Sequence, residues 1–314
     1  MTDIGAYMTR FGAMYDRLRS STEEERDFQK AVVKWMGYIS SEYQRILESV
    51  ISSSLQTGDF ETLHRCFFQV TRTRLLPGMA GGLDHCQDLW PLLDCAACEG
   101  PEELYRLLPP ELGMSRNGHP MLVCAMNLLM CLLYNREGVP RFDEAAEIRR
   151  AEKFLSTKRP LWERSVVGFL LCLLRRDTAG MTDRLQSACA SYGQLKIAAK
   201  YQKLLCLNAY GLVVLAKMLL PQEAFSELRP PEAPNFSGAY LSWRLERTEL
   251  PLEPCFTYPE PYTLANRILA QPVAVRRLFQ PGREREDLTP RERNTWYQDE
   301  AAMLEQFIAG META

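Results

Sequence analysis

The sequence has no large excess of charge of either sign. Its 37 basic and 40 acidic side chains leave a formal net charge of −3 over 314 residues. A protein that binds a phosphate backbone carries a positive field that attracts the nucleic acid, and this composition does not supply one. We therefore expect no nucleic-acid partner.

Apolar runs long enough to cross a bilayer are also missing. The two longest, 121–134 and 204–220, are interrupted by polar residues and fall short of the roughly 20 residues that a spanning helix needs. Residues 1–19 contain no continuous apolar core followed by a small-residue cleavage site, so they do not resemble a secretory signal. The sequence predicts a cytoplasmic protein with no membrane partner.

The motifs of common catalytic sites are absent. The chain contains no GxSxG, GxGxxG, HExxH or phosphate-binding loop, and it has only three histidines, His64, His85 and His119. Acidic pairs such as Glu102 and Glu103 stand at helix starts, where the helix dipole favours a solvated carboxylate. We predict no catalytic residue and no cofactor.

Apolar residues at helical spacing are abundant, above all within 159–220. Three consecutive segments repeat offsets near a period of 3.6, and the joints between them are short enough only for helical hairpins. The residues on these stripes are Trp162, Val166, Phe169, Leu170, Leu173, Met181, Leu185, Ala188, Cys189, Tyr192, Ile197, Tyr201, Leu204, Leu205, Leu212, Leu215 and Leu219. The pattern predicts an all-α fold, either a multi-helix bundle or an α-solenoid-like array.

The same spacing continues towards the N-terminus, so we assign residues 1–220 to one helical array. It predicts a helix over 3–19 and a single long helix from about 23 to 54. Asp59 starts the next helix, which ends before Pro77, and Pro120 opens another. Residues 143–155 form an exposed, charge-rich helix.

The composition changes after residue 220. Eight prolines lie between positions 221 and 261, which forbids long helices, although the segment is too aromatic for a disordered linker. We predict that residues 221–288 form an irregular arm packed on the helices, with one short strand. Thr289 and Pro290 then begin a C-terminal helix over 289–314.

Ten cysteines raise the question of disulfides or metal. Most of them stand in apolar helical runs, where a free thiol behaves as a small hydrophobic group. One spacing, Cys95-Ala-Ala-Cys98 with His85 and Cys86 upstream, has the residue types of a tetrahedral zinc site. The cysteines of a lone CxxC in a helical segment more often pack in the core than bind metal, so we predict no metal. The alternative is a zinc site formed by His85, Cys86, Cys95 and Cys98.

Aromatic and acidic residues occur close together in the arm and at the start of the last helix. Tyrosine and tryptophan beside carboxylates suit an interface with a basic protein partner, although the same rings could instead cover the helical core. The predicted partner-binding residues are Trp243, Tyr258, Glu260, Tyr262, Trp296, Tyr297, Asp299 and Glu300.

Residues 163–218 resemble the all-helical immunity proteins of bacterial polymorphic toxin systems, especially immunity family 49. The resemblance lies in ERSVVGFLLCLLRRDTAGMTDRLQSACASYG and the later LLCLNAYGLVVLAKM. An apolar helix ends in a short charged step, a second helix follows, and a third carries a glycine near its middle, as Gly211 does here. The resemblance implies a cytoplasmic antitoxin that binds one cognate secreted toxin and blocks its active site or substrate entry, without catalysis.

Two other functions stay open from the sequence. A helical adaptor or chaperone for a secreted effector would have the same composition, and a zinc-dependent enzyme would use the cysteine and histidine cluster. Apolar helix faces this broad also leave a homodimer open.

Overall fold

The computed structural model describes residues 2–38, 40–78, 84–135, 140–194, 200–282 and 285–313. Within these ranges the chain forms seventeen α-helices, two 3-10 turns and one pair of two-residue strands, so the predicted all-α class is confirmed. No helix in these ranges has the length and apolar content to traverse a lipid bilayer.

Twelve helices make up the part of the chain before residue 220. They are α1 (Thr2–Ser21), α2 (Glu25–Tyr38), α3 (Ser40–Thr57), α4 (Phe60–Arg74), α5 (Leu89–Cys98), α6 (Glu103–Leu107), α7 (Pro120–Tyr134), α8 (Glu144–Leu155), α9 (Leu161–Arg175), α10 (Thr178–Tyr192), α11 (Lys200–Leu204) and α12 (Leu207–Leu219). The 3-10 turns His85–Asp88 and Pro110–Leu112 flank α5 and α6.

The rest of the described chain contains five helices and both strands. These are α13 (Gln222–Ser226), α14 (Gly238–Glu246), α15 (Thr263–Ala270), β1 (Leu278–Phe279), α16 (Pro290–Arg293), β2 (Tyr297–Gln298) and α17 (Glu300–Thr313). The strands pair antiparallel, with Leu278 opposite Gln298.

The centre of the molecule is the contact between α5 and α12. On one side α4 packs against α5 and α3 packs against α4, while on the other side α9 joins α12 to α7, α8 and α10. The close approach of the central pair requires a residue without a side chain, because a Cβ at Gly211 would lie 2.0 Å from the carbonyl oxygen of Leu93. One continuous hydrophobic core runs through these helices.

Aspartates start several helices, two of them where the sequence predicts a helix start. Asp59 accepts a hydrogen bond from the Thr62 amide at the start of α4, and Asp143 and Asp177 do the same for α8 and α10. Each carboxylate satisfies an amide that the first helical turn leaves without a partner.

Two predicted long helices differ from the structure. In place of the helix expected over 23–54, the structure has the two helices α2 and α3. Ile39, between them, lies outside the described residues. The third apolar segment is α11 and α12 rather than one helix, and residues 195–199 at its start also lie outside the description. The break occurs because the Cys206 amide donates to the carbonyl of Asn235 in the arm, at 2.8 Å, instead of continuing the helix.

The arm does pack on the helices, but it is less irregular than expected. Its helix α15 lies against α2 and α4, and Tyr240 in α14 reaches the core beneath α4. The prediction of one helix over 289–314 is wrong. Thr289 and Glu292 close a capping box around the single turn of α16, then β2 pairs with β1, and Asp299 begins α17 by accepting from the Ala302 amide at 3.0 Å.

Candidate functional site

The alternative zinc ligands are not brought together. Among the described residues no group of three or more His, Cys, Asp or Glu side chains is placed to hold a metal ion. Cys86 donates its thiol to the Asn117 carbonyl at 3.2 Å, Cys95 lies 3.6 Å from Glu99, and Cys98 faces Thr71. Burial raises the pKa of Cys86 to about 12, so in the folded chain this thiol is protonated.

His64, the first histidine of the chain, is also engaged in the core. Its Nε2 lies 2.9 Å from the Cys98 carbonyl oxygen and its Nδ1 lies 3.0 Å from the Tyr240 hydroxyl. The Nε2 hydrogen is therefore donated to the carbonyl while Nδ1 accepts from the tyrosine. Burial, with Arg244 nearby, lowers the pKa of His64 to about 3, which keeps the ring neutral.

The predicted partner-binding residues of the arm mostly cover the helical core. Tyr258 is 1% exposed and its hydroxyl lies 2.7 Å from that of Tyr7, so it is not a surface residue. Tyr262 is half-buried against Tyr15. Trp243 is half-buried over the ring of His64, and Glu260 is exposed.

The residues predicted around β2 take a different position. Trp296 and Asp299 line an open cavity of about 560 Å³ together with Arg116 and Arg277. Tyr297 is half-buried in the strand pair beside Phe279, while the half-buried Glu300 begins α17. Trp296 and Asp299 are thus the predicted residues that the structure places in a concave surface.

A buried carboxylate fixes the loop at the edge of this cavity. Asp84 is 1% exposed and accepts hydrogen bonds from the Ser115 hydroxyl (2.7 Å), the Arg116 amide (2.6 Å) and the Asn117 amide (3.1 Å). Because these donors belong to consecutive residues, one carboxylate holds the backbone of the 113–118 loop. The loop then presents the exposed side chain of Arg116, whose guanidinium carbon lies 5.5 Å from the centre of the Trp296 ring.

The hydrogen bonds also set the charge of Asp84. Burial by itself raises the pKa of a carboxyl group, but the contact with His85 and the donors from Arg116 and Ser115 outweigh it and lower the pKa to about 2. The Nδ1 atom of His85 lies 3.0 Å from Asp84 Oδ1 without hydrogen-bond geometry. Asp84 is therefore an anion throughout the physiological pH range.

A second set of buried polar groups joins the loop to α7 and α8. The side-chain oxygen of Asn127 accepts from the Ser115 amide at 2.8 Å, and its nitrogen donates to Glu147 at 3.1 Å. Glu147 in turn lies 3.2 Å from the guanidinium of Arg150. The chain of contacts runs from Asp84 through the 113–118 loop to the surface of α8.

A second open cavity, of about 630 Å³, lies at the α8 end of this series of contacts. It is lined by α7, α8 and the loop, with four cationic side chains and one carboxylate among its walls. The lining cations are Arg116, Arg150, Lys153 and Arg159. We call this space the α7–α8 cavity, and Arg116 lines it as well as the cavity that contains Trp296.

The sequence did not reveal this cationic site. Arg150 and Lys153 belong to the helix that the sequence predicts to be exposed and charge-rich, a pattern typical of solvated surfaces, and Arg159 lies just beyond that helix. Their spacing along 149–159 was the available signal, but Arg116 joins them only through the tertiary bonds to Asp84 and Asn127.

The geometry supports binding rather than proton transfer. Asp84 has its oxygens occupied by donors and a low pKa, so it is a poor general base. The Ser115 hydroxyl donates directly to that carboxylate, with no imidazole between them to accept its proton. What the site offers a ligand is a fixed loop, an exposed cation beside an aromatic ring and two open cavities.

No protein-family model, curated protein or solved structure matches this chain.

Proposed function

We propose that the chain is an immunity protein that binds one cognate secreted toxin in the bacterial cytoplasm and neutralises it by covering its active site or substrate entry. The observation that carries the proposal is the Asp84-anchored loop, which places Arg116 beside the ring of Trp296 and in the lining of two open cavities. The resemblance of residues 163–218 to immunity family 49 suggested this function from the sequence.

The physical argument for a protein partner is preorganisation. Arginine and tryptophan are the side chains that most often dominate the binding energy of interfaces, and they do so when their position is fixed before binding. Here three hydrogen bonds from consecutive residues hold the loop, so ordering it costs little additional entropy on association. A stoichiometric inhibitor depends on such a surface.

Coexpression with each neighbouring reading frame in a sensitive bacterial host tests the proposal. We expect one neighbour to be toxic alone, growth to be restored by this chain, and the two proteins to purify as a one-to-one complex. Complex formation without restored growth would instead support an adaptor or chaperone for the effector. Failure of both rescue and complex formation would contradict the immunity function.

Variants connect the rescue to the surface. Trp296→Ala removes the ring that Arg116 covers, and we expect it to weaken the complex by at least tenfold, as the loss of an aromatic anchor does. Tyr38→Ala is the matched control, because Tyr38 is a 64% exposed aromatic residue on α2 that lines neither cavity. The melting temperature of each variant separates lost binding from lost folding.

A further inference from the structure

The α7–α8 cavity combines an apolar floor with a cationic rim. Its floor contains Met114, Val123, Cys124 and the ring of Phe154, which is 7% exposed. Its volume of about 630 Å³ accommodates a few side chains of a docked segment rather than a folded element.

The cations of the rim are largely without carboxylate partners. In the described ranges Arg116, Lys153 and Arg159 form no ion pair, while Arg150 is paired with Glu147. Glu147 is the one carboxylate in the lining, and it already accepts from Asn127 and Arg150. The lining therefore keeps a net charge of +3 inside a molecule whose overall formal charge is −3.

We propose that the α7–α8 cavity binds an acidic segment of the protein partner, in which carboxylates flank one apolar side chain. The proposal rests on the proposed function, since it assigns the surface and chemistry through which a toxin is held. The carboxylates pair with Lys153, Arg159 and Arg116, and the apolar side chain contacts the half-buried Met114 and Val123.

The same features favour a peptide over a nucleic acid. Phe154 is the one aromatic residue in the lining, and it is buried rather than presented as a platform on which bases stack. The net negative charge of the molecule also repels a polyanion at a distance, whereas a short acidic segment meets mainly the local field of the rim.

Fluorescence anisotropy with a labelled peptide, acetyl-Glu-Glu-Phe-Glu-Glu-amide, measures this site in the full-length protein. We expect saturable binding that weakens with added salt, and no binding of the matched Lys-Lys-Phe-Lys-Lys peptide. The double variant K153E/R159E should weaken binding at least tenfold. R149E is the control, because Arg149 is an exposed cation of α8 that does not line the cavity, and it should bind within twofold of the wild type.

Three outcomes would overturn the proposal. One is the absence of saturable binding; another is an equal loss in R149E, which would mean unspecific attraction to α8. The third is tighter binding of single-stranded DNA of equal charge than of the peptide.

The growth assay separates this proposal from the proposed function. If K153E/R159E still rescues the host fully, the chain is an immunity protein that uses another surface, and the cavity proposal is wrong. If the peptide binds as expected but no toxic neighbour is rescued, the immunity function fails while the cavity remains a site for acidic peptides.

Discussion

Asp84 organises the candidate site through hydrogen bonds that depend on its charge. In the folded state its pKa is about 2, below its ordinary value of 3.8, because bonds from the loop and the contact with His85 outweigh the cost of burial. A group whose pKa is lower in the folded state stabilises the fold fully at pH values above its unfolded-state pKa. That contribution is lost as the pH falls through its folded-state pKa. The contribution of Asp84 is therefore lost between about pH 4 and pH 2.

We expect Asp84→Asn to lower the free energy of unfolding at pH 7 by about 2 kcal/mol, the equivalent of this pKa shift. Urea unfolding at several pH values measures the effect, and the difference from wild type should shrink below pH 4. Asp183→Asn, at an exposed aspartate of α10, is the control and should change the stability by less than about 0.5 kcal/mol. A cost for D84N that stays constant down to pH 2 would contradict the account.

His64 gives the fold a second, separate pH dependence. Its pKa falls from 6.5 to about 3 because the buried ring cannot be solvated as a cation. The unfolded chain therefore binds a proton near pH 6.5 that the folded chain binds only near pH 3, and stability falls as the pH is lowered across this window.

We expect the wild type to lose about 2 kcal/mol from this histidine between pH 7.5 and pH 5. His64→Gln should be less stable at pH 7.5, because it disturbs the bonds to Tyr240 and Cys98, but its stability should change less over the same interval. His119→Gln, at a 48% exposed side chain, is the control for the loss of an imidazole. An unchanged profile in H64Q would show that another group titrates.

At the scale of elements, the contact between α5 and α12 requires a residue without a side chain at position 211. A methyl group at Gly211 would meet the carbonyl of Leu93 at 2.0 Å, and a backbone atom cannot move aside as a flexible side chain can. We expect Gly211→Ala to destabilise the protein by about 1–3 kcal/mol or more, as overpacking of a core does.

Thermal and urea unfolding of Gly211→Ala beside Gly5→Ala measures this effect. Gly5 lies inside α1, and no atom lies within 4 Å of the position that the Cβ of an alanine would take. Its replacement by alanine should therefore stabilise the helix by about 0.5–1 kcal/mol. Opposite signs for the same chemical change would confirm the close packing. A neutral G211A would mean that the central helices lie further apart than described.

Helix positions could be predicted from the sequence where the signals are local. Asp59, Asp143 and Thr289 cap the helices that begin beside them, since a cap needs only a side chain and the next turn. The break between α11 and α12 could not be predicted, because the Cys206 amide bonds to Asn235, which is remote in sequence. The prediction of a single helix over 23–54 did not take account of Gly37, a residue that disfavours a helix interior and lies at the end of α2.

At the scale of the whole molecule, the candidate site was only partly predictable. Trp296 and Asp299 attracted attention as aromatic and acidic residues, and they do line a cavity. Tyr258 had the same local signature but is buried against Tyr7, because an aromatic residue near a carboxylate in the sequence has the same pattern in a core as on a surface. The role of Asp84 depends on a loop about 30 residues later in the chain, which no local pattern encodes.

The central claim is that this chain inhibits a toxin rather than carrying it. The most direct measurement is a titration of the purified toxin domain, identified by the rescue experiment, with purified wild-type chain while the activity of the toxin is followed. We predict a linear fall to background with an end point at one equivalent, since a tightly bound inhibitor blocks one active site per molecule. A stable one-to-one complex that keeps full toxin activity would contradict the claim.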